Sequence, residues 1–150
     1  MKFTEKISNQ LNELLVKNYD AEKGYLNAMD NVASKDLKMF FKRRASERSD
    51  FAKELRTEIL MYGEIPENSG SFKGVMHRNW MTLKSTFISS DEEVILAEAL
   101  RGEKASLAEY NEIISSDMIF PPSIDSLLNK QKKAVQAAIN NVKVQEELVS

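Results

Sequence analysis

Prolines stand only at positions 66, 121 and 122 of this 150-residue chain. A proline inside a helix removes an amide donor and collides with the preceding turn. The long segments free of it can therefore run as continuous helices. Their apolar residues recur at the three-and-four spacing of one helix face, and no segment shows the alternation of a strand. Ile7, Leu11, Leu14, Leu15, Leu26, Met29 and Val32 define a first helix, from about Thr4 to Val32. Leu37, Phe40, Phe41, Phe51, Leu55 and Ile59 define a second, from Lys35 to Tyr62. Ser34 is placed to cap its start and Gly63 to end it. The third opens at "SSDEEV", where Ser90 and Glu93 have the spacing of a capping box, and continues to about Ser115. The fourth covers roughly Ser123 to Leu148, beyond the Pro121–Pro122 pair.

Helices of about 25 residues are about 38 Å long, twice the usual length. Short connections join the first to the second and the third to the fourth, so each pair is expected to be an antiparallel hairpin. The middle connection, Gly63 to Ser90, is long and carries its own amphipathic stretch, "SFKGVMHRNWMTLKSTF". A short helix there, Phe72 to Phe87, is expected to travel the length of the bundle. The pattern predicts an all-α chain, residues 1–150 forming a single four-helix-bundle domain of ferritin-like type, with a long crossover between the second and third helices.

Several function classes are disfavoured by composition. The net charge is −2, so no basic excess points to nucleic acid. There is no cysteine, which removes disulfides, thiol nucleophiles and cysteine-ligated zinc. The start, "MKFTEKISNQ", lacks a signal peptide's apolar stretch, and no apolar run is long enough for a bilayer. A cytoplasmic, bacterial-type protein without a membrane partner is the expectation. The basic run Lys42-Arg43-Arg44 scatters around the helix cylinder. Phosphate loops, nucleophile–base pairs and zinc motifs are missing from the sequence.

The core stripes contain the anomaly. They read Leu11, Leu15, Asn18, Glu22, Tyr25 or Leu26, Met29 on the first helix, and Phe40, Arg44, Glu47, Phe51, Leu55 on the second. They read Leu96, Leu100, Glu103, Leu107, Tyr110, Ile114 on the third, and Ile124, Leu128, Gln131, Val135, Ala138, Val142 on the fourth. Each is apolar at its ends and polar near its middle. Glu22, Arg44, Glu47, Glu103 and Gln131 are thereby expected at one level. A buried carboxylate is costly unless paired, protonated or bound to metal. A weak repeat, "EKGYL" at Glu22–Leu26 and "EKASL" at Glu103–Leu107, supports that level. Gly24 and Gly102, beside it, would let helices approach closely.

In this order, "DAEKGY", "RRASERSDFAKEL", "HRNWMTLK" and "RGEKASLAEY" resemble a bacterial family of ferritin-like four-helix-bundle proteins, named as a domain of unknown function. The His-Arg-x-Trp and Arg-Gly-Glu stretches are its most distinctive pieces. The resemblance spans essentially the whole chain and implies the ferritin-like fold without an established activity. Iron chemistry in such bundles uses a glutamate from each of two helices and Glu-x-x-His from each of the other two. Here Glu22 and Glu103 match the first requirement. Glu47-x-x-Asp50 puts an acid where histidine is expected, and "NKQKKAVQ" on the fourth helix offers neither acid nor histidine. The single histidine, His77, lies in the crossover with Trp80; Trp80 and Met76 are expected to anchor that helix on the bundle, with His77 satisfied by a hydrogen bond. Two readings follow. The preferred one is a hydrogen-bonded network without cofactor, Arg44 or Arg48 neutralising the glutamates, in a non-enzymatic protein that acts by interaction, regulation or a stress-related role. Protein partners or self-association would then carry the function. The alternative is a metal-binding or redox protein holding iron or another divalent ion on Glu22, Glu47, Asp50 and Glu103.

Overall fold

The computed structural model describes residues 2–68 and 91–150. Its helices are α1 (Phe3–Asp30), α2 (Lys35–Met61), α3 (Glu92–Ile114) and α4 (Pro122–Val149), and no strand occurs among the described residues. The chain is an all-α four-helix bundle. The expected Phe72–Phe87 helix, with His77 and Trp80, lies outside the described residues.

Local chemistry sets the ends. Ser34 accepts from the Leu37 amide at 3.3 Å and so caps α2. Beyond Tyr62 the chain turns through Gly63 at φ 76°. Gly63 and Glu64 donate their amides to Leu60 and Ile59 carbonyls, the paired bonds of a Schellman stop. The expected cap of α3 is corrected: Asp91, not Ser90, accepts from the amides of Glu93 and Val94. Its carboxylate is a better acceptor for the positive helix end than a hydroxyl. Pro122 opens α4, where a missing amide costs nothing.

Packing fixes the topology. The α1–α2 and α3–α4 hairpins sit side by side, with α1 against α3 and α2 against α4. Asn18 meets Tyr110 and Tyr25 meets Glu103, so α1 and α3 are antiparallel. Gln131 meets Glu54 and Ser123 meets Glu58, so α2 and α4 are antiparallel too. It follows that α2 and α3, on opposite corners, run in the same direction. The end of α2 and the start of α3 thus lie at opposite ends of the bundle. The Ser34 amide, at the α1–α2 turn, donates to Glu92 at the start of α3. After α2, residues 64–68 turn back along α1. Asn12 bonds the Ile65 carbonyl and the Glu67 amide, and two turns further on the Tyr19 hydroxyl donates to the Glu67 carbonyl.

The apolar core falls into two halves. One gathers Tyr25, Ala28, Leu37, Phe41, Ile95, Leu96, Ala99 and Val142. The other gathers Leu11, Leu15, Leu55, Ile59, Ile113, Ile124, Leu128 and Val135. A belt of buried polar side chains lies where they meet. Among the described residues, no helix is long and apolar enough to cross a membrane.

Candidate functional site

The belt takes at least one member from every helix: Asn18 and Tyr25 from α1, Arg48 from α2, Glu103 and Tyr110 from α3, and Gln131 from α4. None is more than 2% exposed. The antiparallel neighbours explain how they converge. Asn18 and Tyr25 are seven residues apart on one face of α1, and Glu103 and Tyr110 repeat that interval on α3 in the opposite direction. Buried glycines, Gly24 and Gly102, lie beside them.

Arg48 is the centre. One terminal nitrogen donates to Glu103 Oε1 at 2.5 Å and the other to Asn18 Oδ1 at 2.8 Å. Its guanidinium carbon lies 5.7 Å from the Phe51 ring centroid, within cation–π range. The second Glu103 oxygen accepts from the Tyr25 hydroxyl. From Asn18 the bonds continue outward. Asn18 Nδ2 donates to the Leu14 carbonyl at 2.8 Å and to Tyr110 Oη at 3.1 Å. Tyr110 donates to Gln131 Oε1 at 2.6 Å, and Gln131 Nε2 donates to Glu54 Oε1 at 3.2 Å. Glu54 closes the chain in an ion pair with Lys130 at the surface. On the other open seam, Lys17 pairs with Glu109, each one residue from its helix's partner in the Asn18–Tyr110 bond.

The electrostatics favour one protonation pattern. Burial works against the Arg48 charge, but Glu103 and the two tyrosines hold its pKa above the ordinary value. Burial first, then the Glu103 carboxylate, push the Tyr25 phenol well above the usual range. Tyr110 is pushed up to about 12 by burial, with Arg48 pulling the other way. Both phenols therefore stay protonated and act as donors at neutral pH. A guanidinium is not deprotonated in proteins, so Arg48 also breaks any proton relay along the chain of bonds. These groups hold one another; none is poised to exchange a proton or attack.

Of the residues singled out from sequence, Glu103 and Gln131 lie in the belt. Glu22 does not: it is half-buried on the shoulder of α1, and Tyr25 reaches Glu103 in its place. Arg44 and Glu47 pair with each other at the rim, at 2.7 Å, with 15% and 31% of their side chains exposed. Burial raises the Glu47 pKa and Arg44 opposes the rise. Asp50 is exposed. The carboxylates named for a metal thus point to different surroundings. No group of three acidic or histidine side chains able to hold a metal occurs among the described residues. The donor set fits iron poorly in a second way: both Glu103 oxygens and Asn18 Oδ1 already accept hydrogen bonds from side chains of the belt.

The residues missed were Asn18, Tyr25 and Tyr110 as network members, and the primacy of Arg48 over Arg44. Alanines carried the signal: Ala21 and Ala28 are buried on the Asn18–Tyr25 face, and Ala45 and Ala52 flank Arg48.

The chain belongs to the DUF2383 family, a domain of unknown function, whose model matches residues 6–116. That span contains every belt residue except Gln131. No curated protein matches the chain.

Proposed function

We propose that this chain is a ferritin-like bundle protein with a non-enzymatic role, interaction, regulation or a stress-related task, exercised from its surface. The observation that carries the reading is the Arg48–Glu103 pair, 2.5 Å apart and buried at the level where such bundles hold metal. A site that works on a ligand keeps donors or acceptors free for it. Here the carboxylate, the amide and both phenols are spent on one another. Such a layer specifies helix register and partner, a known use of buried polar groups. Val144 and Leu148, one turn apart on α4, are 52% and 72% exposed and suit contact with a protein partner or a second copy.

The competing assignment is a metal-binding or redox protein with a divergent carboxylate site. Elemental analysis decides between them, on protein purified without a metal-affinity step from cells supplied with iron. The proposal expects metal far below one equivalent per chain. About two iron atoms per chain, the complement of a di-iron bundle, lost on replacing Glu22 and Glu103, would establish the competitor.

A further inference from the structure

The partners of Arg48 describe a binding site in their own right. A carboxylate oxygen lies at 2.5 Å, an amide carbonyl oxygen at 2.8 Å, and an aromatic ring faces the guanidinium carbon at 5.7 Å. Two oxygen acceptors and an aromatic ring under the charged carbon suit a delocalised monovalent cation with several N–H donors. A divalent ion asks for more oxygens and more negative charge than one carboxylate supplies. The site is anchored from behind. Tyr25 donates to the far oxygen of Glu103, and the Leu14 carbonyl and Tyr110 hold the Asn18 amide with its oxygen towards Arg48. Neither acceptor relies on Arg48 alone for its orientation.

We infer that the centre of the bundle is a cation site of guanidinium class whose occupant is tethered to α2, and that a free guanidinium ion takes the same place when the tether is cut. The inference rests on the reading of the centre as closed to metal, but it makes a separate claim. Were the layer only generic polar packing, no particular cation would take the place of Arg48.

The test is thermal unfolding of Arg48→Ala in millimolar guanidinium chloride against sodium chloride at equal ionic strength. The variant should melt below the wild type. Guanidinium, and not sodium, should raise its melting temperature saturably. At ten times the dissociation constant the folded-to-unfolded ratio rises about elevenfold. Wild-type protein should show no such rise, nor should Arg48→Ala/Glu103→Gln, which lacks the anionic acceptor. Arg48→Gln fills part of the space with an amide and should respond less than Arg48→Ala. If Arg48→Ala does not fold in buffer, recovery of its helical circular dichroism on adding guanidinium supports the inference, and failure to recover overturns it. It is also overturned if sodium and guanidinium act alike, if Arg48→Gln responds as strongly as Arg48→Ala, or if manganese stabilises Arg48→Ala more than guanidinium does. Metal content of the wild type is a different measurement, so the two readings fail separately.

Discussion

Replacing Glu103 by leucine sets two large terms against each other. Leucine would extend the apolar surface of α3 and return about 1.5–3 kcal/mol of burial. It would also leave the Arg48 guanidinium buried without the carboxylate that stands 2.5 Å away, at a cost of about 3–5 kcal/mol. The Tyr25 hydroxyl loses its acceptor as well, a further cost of about 1–3 kcal/mol. The balance is a loss of about 1–6.5 kcal/mol, about 4 at mid-range. Arg48→Leu leaves Glu103 and the Asn18 carbonyl in the same position and should cost a similar amount. The double variant buries no charge. What it takes from Tyr25 and from Asn18 is one hydrogen bond each, so it should be much more stable than the two losses added together. Urea unfolding followed by circular dichroism at neutral pH gives all three values. A coupling above about 1 kcal/mol is expected, as for residues of one ion-pair network. Arg44→Leu is the control, because Arg44 pairs with Glu47; its effect should add to that of Glu103→Leu within about 0.5 kcal/mol. If Arg48 and Glu103 are also additive within that margin, the ion-paired centre is refuted.

Gly63→Ala should cost about 1–2 kcal/mol in the same unfolding assay from left-handed strain alone, since no atom lies within 4 Å of the added methyl. Asparagine at that position should cost less. A phenol whose folded pKa is raised stabilises the fold fully below the unfolded value of 10.0, and that contribution is lost as pH climbs through the folded value. For Tyr110 the window runs from 10.0 to about 12. Stability should fall across that range, less steeply in Tyr110→Phe, and a pH titration of melting temperature shows it. Glu47 also has a raised folded pKa, so its contribution is present in acid and lost as pH rises through that value. Glu47→Gln should therefore be at least as stable as wild type at neutral pH and lose that advantage in acid; a reversed pH trend would contradict the burial of Glu47.

How far the sequence reached differs from helix to helix. On α4 all six stripe residues, Ile124 to Val142, are buried. On α3 the stripe through Leu100 and Leu107 is rotated. The buried centre is Ala99, Gly102, Glu103 and Ser106, while both leucines are only partly buried. Small residues let helices approach, and the large ones then fill the shoulders, so hydrophobicity alone points slightly off the contact line. Glu22 failed for the same reason: it sits next to Ala21, and the alanine marks the face that α1 turns inward. The bundle's connectivity was legible because a connection as long as Gly63–Ser90 permits parallel neighbours on opposite corners. Within the polar belt an arginine–glutamate pair was legible, but the tyrosine that completes it was not. That contact depends on the stagger between α1 and α3, which places Tyr25 rather than Glu22 against Glu103.

The central claim is that Arg48 occupies the place a ligand or metal would otherwise take. An anomalous difference map of crystals of protein expressed in iron- and manganese-rich medium tests it most directly. The account predicts guanidinium density between Glu103 and Asn18 and no anomalous peak within coordination distance of either. A peak beside Glu103, with Arg48 swung away from it, would contradict the account.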